Sequence, residues 1–109
     1  MIVGTLSLHL HLARPNSLKD KRRILRSLRD LVHQRFNVSV AEVDDQDVWQ
    51  SAVLGLSAVG TDTPYVQEVL SHVEKFIRSN PEISIVEIKR EITPFGGEAD
   101  FAGDMGLQE

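Results

Sequence analysis

Residues 2 to 12 alternate in polarity, and this alternation constrains the fold more than any other feature of the chain. Ile2, Gly4, Leu6, Leu8, Leu10 and Leu12 fall on one side of an extended backbone, and Val3, Thr5, Ser7, His9 and His11 fall on the other. Leucines repeating at period two do not stack on a helix face. They require a strand with one side in a core, and that side must be covered by a second layer.

The rest of the chain supplies the cover. Arg14, Pro15 and Asn16 break the strand, and Ser17 with Asp20 three residues later resembles a capping box built with a shorter acid than Glu. Leu18, Leu25, Leu28, Leu31 and Val32 then form an apolar stripe with Ile24 at its margin, which predicts a helix over 18–35. Phe36 to Val43 is rich in β-branched residues and predicts a second strand, disturbed at Glu42 by an edge or a bulge. Asp44, Asp45, Gln46 and Asp47 make a polar turn. A third strand follows, with Ala52, Leu54, Leu56 and Ala58 alternating against Trp49, Ser51, Val53, Gly55, Ser57 and Val59. A cap at Asp62 or Thr63, with Pro64 in the first turn, opens a second helix carrying Val66, Val69, Leu70, Val73, Phe76 and Ile77. Ser79, Asn80 and Pro81 stop it, and Ile83 to Ile92 predicts a last strand of mixed phase.

The order is β-α-β-β-α-β. Right-handed crossovers then give an α+β fold of ferredoxin-like type: a four-stranded antiparallel sheet with two helices on one face. A chain of 109 residues, 41% hydrophobic and 26% charged, suits one such domain. Residues 1–92 form that domain, and residues 93–109, with Gly96, Gly97, Gly103, Gly106 and four acids, are expected to be a flexible tail. The sheet face without helices would show Val3, Thr5, Ser7, His9, His11, Trp49, Val53, Gly55 and Val59, with Ile83 and Ile85. So apolar a face predicts a homodimer that covers it.

Composition excludes several classes of function. The absence of cysteine removes disulfides, thiolate metal sites and a cysteine nucleophile. No apolar run approaches the ~18 residues of a membrane span, and Met1 leads straight into Ile-Val-Gly-Thr-Leu without a leader pattern, so a cytoplasmic protein is expected.

Charge is unevenly placed. The formal net charge is -4, yet Arg14, Lys19, Lys21, Arg22, Arg23, Arg26, Arg29 and Arg35 against Asp20 and Asp30 give residues 14–35 a charge of +6, leaving -10 for the remainder. Guanidinium groups fork onto phosphate oxygens, and several on one rigid helix give salt-sensitive affinity for nucleic acid without sequence preference. Arg14, Lys19, Lys21, Arg22, Arg23, Arg26 and Arg29 are therefore the candidate nucleic-acid contacts, with the N–H groups around Leu18 to Lys21 able to hold one phosphate. An ordinary solvated face whose arginines pair with acids elsewhere is the competing reading.

Other constellations point to less. Base stacking over the sheet needs aromatic residues on central strands; Trp49 alone lies near that face, and a dimer seam or a loop is its expected place. His9 and His11 project to one side, but two ligands do not make a site, so no metal is expected. His33 and His72 read as helix-face residues. Asp44, Asp45 and Asp47 lack the glycine and distal glutamate of a calcium loop and read as a turn with Asx hydrogen bonding. No nucleophile with a base and no glycine-rich phosphate loop stands out. A non-catalytic protein without cofactor is expected.

The stretches Ser17-Leu-Lys-Asp-Lys-Arg-Arg-Ile-Leu and Phe36-Asn-Val-Ser-Val-Ala-Glu-Val-Asp, followed by Asp47-Val-Trp-Gln, resemble the YlxP-like family of small bacterial proteins of unknown function. The resemblance spans roughly residues 2 to 92. It implies a ferredoxin-like fold, a dimer, and genes set among transcription and translation factors near a ribosome-binding factor. It carries no activity or catalytic residue. The combined expectation is a homodimeric binding module that contacts RNA or a ribosome-associated partner through its arginine-rich first helix. A protein-interaction or regulatory domain without nucleic acid is the alternative, and a small-ligand sensor or enzyme with a pocket between subunits is a third.

Overall fold

The computed structural model describes residues 1–96. Its elements run β1 (Ile2–Leu12), α1 (Leu18–Arg35), β2 (Ser39–Asp44), β3 (Ser51–Gly60), α2 (Thr63–Arg78) and β4 (Ile83–Pro94). The four strands form one antiparallel sheet in the order β2-β3-β1-β4. This is the ferredoxin-like α+β arrangement that the pattern predicts.

Period-two leucines become the floor of the core. Leu6, Leu8, Leu10 and Leu12 of β1 and Ala52, Leu54, Leu56 and Ala58 of β3 are buried, and they join residues of both helices in one cluster. α1 contributes Leu25, Leu28 and Val32, and α2 contributes Val66, Leu70, Val73 and Ile77. Both helices therefore lie on the same sheet face. Ser17 Oγ accepts from Asp20 N at 3.1 Å, and Asp62 Oδ1 accepts from Tyr65 N at 2.9 Å, with Pro64 in the first turn of α2. The Asp20 carboxylate turns to Arg23 instead of completing a reciprocal box.

Close contact between α2 and the sheet depends on Gly4. A Cβ there would stand 2.5 Å from Val66 Cγ1 and 2.8 Å from Leu70 Cδ1, both on fully buried side chains. Only a residue without a side chain lets the helix sit this low.

Several expectations need correction. Phe36 is the C-cap of α1, its N–H donating to Val32 O at 2.8 Å and its ring meeting Phe76 edge-on at 5.8 Å. β2 accordingly starts at Ser39, later than the β-branched run suggests. Trp49 belongs to the turn before β3 and is 41% exposed, so it is not part of the sheet face. The mixed phase of β4 has a simple cause: Glu87 pairs with His9 and Ile85 with Leu10, which leaves Val86 as the extra residue of a β-bulge. Ile83 and Ile85 consequently face the helices opposite Leu12 and Leu10, and Ser84, Glu87, Lys89 and Glu91 take the open face. That face carries Val3, Val43, Val53 and Val59 among serines, threonines and charges, and without Trp49, Ile83 and Ile85 it is less apolar than the sequence implies. β4 runs through Pro94, past the expected boundary at residue 92, and Phe95 N donates to Met1 O at 2.8 Å. Residues 97–109 of the expected tail lie outside the described residues.

Candidate nucleic-acid interface

Helix α1 is oriented by a stripe at alternating spacings of three and four: Leu18, Lys21, Leu25, Leu28 and Val32. All but the half-buried Leu18 are buried, Lys21 included. Residues between them turn outward, which puts Lys19, Arg22, Arg23 and Arg26 on the exposed side, with Arg29 half-buried at its margin.

Lys19, Arg22, Arg23 and Arg26 line an open groove of about 730 Å³ together with Asn16, Ser17 and Asp20 at the start of α1. The one acid in its wall, Asp20, is bound to Arg23. The Asp20 N–H is taken by the cap and the Lys21 N–H bonds to Ser17 O at 3.0 Å, so the N–H groups of Leu18 and Lys19 open the helix toward solvent. A narrower cleft of about 280 Å³ lies between α1 and the β2–β3 turn, where Arg22, Arg26 and Arg29 share the wall with Glu42, Gln46 and Asp47.

Four of the seven candidate cations are unpaired among the described residues. Arg14 approaches Glu82 at 3.4 Å and Arg23 pairs with Asp20, but both arginine side chains are 73% exposed and such surface pairs exchange readily. Among the described residues Lys19, Arg22, Arg26 and Arg29 make no ion pair. Arg35, at the far end of α1, stacks over the Phe76 ring at 4.8 Å.

Lys21 is the exception, and its burial removes it from the proposed contacts. Its side chain is 1% exposed; Nζ donates to Asp45 O and Val48 O at 2.6 Å each and lies 2.8 Å from Glu42 Oε2. That separation makes an ion pair, although the approach is off the line of a good hydrogen bond and Glu42 Oε2 has no well-aligned donor. Lys21 therefore cannot meet phosphate. It pins the β2–β3 turn to α1. The sequence signal for this role is its place in the apolar stripe, facing an acid on the inward phase of β2.

The turn itself is ordered by side chains. Asp45 adopts a φ of 61°, its N–H bonds to Asp44 Oδ1 at 2.8 Å, and its carbonyl accepts from Val48 N at 3.1 Å. Asp45 Oδ2 accepts from Ser51 Oγ at 2.7 Å and lies 3.5 Å from His9 Nε2, which itself is 2.9 Å from Ser51 Oγ. The same imidazole nitrogen faces both oxygens, so this is not the relay in which a carboxylate holds the other nitrogen of a catalytic base. His11 is exposed, and among the described residues no group of three His, Asp or Glu side chains converges as metal ligands.

A family model described as "Protein of unknown function (DUF503)" matches residues 3–90. The chain belongs to the DUF503 family. It is also 40% identical over 67 residues to "Uncharacterized protein YlxP" of Bacillus subtilis (strain 168), an alignment covering 62% of this chain and 73% of that one. The YlxP-like resemblance of the α1 and β2 stretches is thus a DUF503 relationship. The matched DUF503 region reaches from β1 into β4 and takes in the whole of α1 with its basic face.

Proposed function

We propose that this DUF503 domain is a non-catalytic binding module that docks on RNA in the cytoplasm through the exposed face of α1. One observation carries the reading: Lys19, Arg22 and Arg26 share a groove at the start of α1 without an ion-pair partner among the described residues. Arginine forks match phosphate oxygens in bidentate geometry, and the helix N-terminus adds N–H donors to the same groove. Acidic residues dominate the rest of the chain, which orients a polyanion toward this helix. No helix among the described residues is long and apolar enough to cross a membrane. The genomic setting that the YlxP-like resemblance implies favours RNA of the translation machinery as the target.

Filter retention of structured RNA tests this, using the full chain and the variant Arg22→Glu/Arg23→Glu/Arg26→Glu, with Lys75→Glu/Arg78→Glu on α2 as the charge control. Loss of retention in the first and persistence in the second, both with unchanged circular dichroism, supports the reading. Retention unchanged in the first overturns it. Capture of a partner that survives nuclease treatment would instead assign the groove to an acidic protein.

A further inference from the structure

The two edges of the sheet are built differently. β2 has 6 residues, is bulged at Val43, and turns the charge of Glu42 inward, three devices that discourage another strand from adding to it. β4 has 12 residues, and after its bulge at Val86 the run from Glu87 to Thr93 is regular and free of proline. Antiparallel pairs alternate between bonded and non-bonded. Because Phe95 N bonds to Met1 O, the residues whose backbone groups point at β1 are Glu87, Lys89, Glu91 and Thr93. The N–H and C=O groups of Ile88, Arg90 and Ile92 then point away from β1, along an edge that no other strand among the described residues covers.

We propose that this edge pairs with β4 of a second copy of the chain, antiparallel about a two-fold axis at Arg90. The register follows from charge. With Arg90 opposite Arg90, Lys89 meets Glu91 of the second copy twice on the open face. Ile88 meets Ile92 twice on the helix face, where both isoleucines are only half-buried in the single chain. The other two-folds from Ile88 to Glu91 fail. A two-fold at Lys89 sets Lys against Lys and Glu87 against Glu91, one at Glu91 sets Glu against Glu, and one at Ile88 brings the Val86 bulge into the pairing. The arginines at the axis are not free to oppose each other. Each guanidinium is folded back onto its own α2, at Glu74 Oε1 (3.3 Å), Ser71 Oγ (3.2 Å) and Gln67 O (3.4 Å). Lys89 and Glu91 are exposed and make no ion pair among the described residues.

Sedimentation equilibrium of the full chain over a wide concentration range tests the pairing. The wild type should show a reversible monomer–dimer equilibrium. Lys89→Glu and Glu91→Lys should each weaken it about tenfold or more, because each puts like charges at two symmetric pairs. Mixed in equal amounts, the two variants should recover a heterodimer in which opposed side chains no longer share one sign at every pair. A wild type that stays monomeric at every concentration overturns the proposal. So does a dimer indifferent to both variants, which would use another surface such as the open sheet face, or a mixture that associates no better than either variant alone.

Discussion

Lys21 Nζ on α1 stands 2.8 Å from Glu42 Oε2 on the edge strand β2, with the lysine side chain 1% exposed and the glutamate 21% exposed. A buried ammonium is tolerated only when its charge is matched and its donors are engaged; Glu42 supplies the countercharge, and the turn carbonyls of Asp45 and Val48 take two of the three donors. Charge, which faces solvent along the outer side of α1, thus works inward at one position to fix the hairpin that α1 leans on.

Removing that charge should therefore unfold more than it unbinds. Lys21→Met takes the ammonium donor from the Asp45 and Val48 carbonyls, leaving Asp45 O only the Val48 N–H, and leaves Glu42 without its cation; it should destabilise the domain by about 3 kcal/mol. Lys21→Met/Glu42→Leu should lose clearly less than the sum of the two single changes, since the unpaired carboxylate is gone. Urea denaturation followed by Trp49 fluorescence reads both, as the sole tryptophan sits in the pinned turn. Additive losses would mean that the two charges do not act as a pair.

The salt dependence of RNA retention separates the outward cations from the inward one. Arg22→Gln should reduce the slope of log affinity against log salt by roughly one unit, as should Arg26→Gln. Lys21→Met should leave the slope unchanged when measured well below its unfolding transition. A slope lowered equally by all three would contradict the burial of Lys21.

Most of the architecture is legible in the chain, and the exceptions share a cause. Spacing places α1, α2, β1 and β3 because each buries one face against a single core, so phase alone orients it. Residue type groups Lys21 with its basic neighbours, although its interval of three from Leu18 and four to Leu25 sets it in the stripe. The disturbance at Glu42 is visible, but its partner lies 21 residues away and pairing across that distance leaves no local mark. Trp49 continues the alternation of β3 and so reads as strand, yet the turn around Asp45 interrupts that alternation through side-chain hydrogen bonds. Ile83 and Ile85 fall on the wrong face when β4 is counted straight through, because a single extra residue reverses the phase of everything before it.

Glycine positions offer a test of how α2 is seated. Gly4→Ala drives a methyl against Val66 and Leu70, side chains with no room to retreat, and should cost about 1–3 kcal/mol. Gly55→Ala meets only Val43, with Cγ1 at 3.0 Å on an exposed bulge residue that can move aside, and should be close to neutral. Thermal unfolding of the two variants should differ by several degrees. Equal melting temperatures would show that α2 adjusts over Gly4.

The β4 bulge makes a sharper prediction, because deletion rather than substitution probes phase. Val86 is 59% exposed and is the one residue of β4 without a place in either alternation. Its deletion joins Ile85 to Glu87, which keeps Ile85 opposite Leu10 and Glu87 opposite His9 in an unbroken ladder, so every other side chain stays on its face. The shortened chain should fold with stability within about 1 kcal/mol of the original. Deleting Lys89 removes the same length but has a different outcome. To restore a ladder the strand must then turn Ile88 to the open face and Glu87 toward Leu8 in the core, which exposes an apolar residue and buries a charge, a loss of about 2 kcal/mol or more. Chemical denaturation of the two deletion variants side by side decides it: equal stability would mean that the bulge at Val86 does not set the phase of β4.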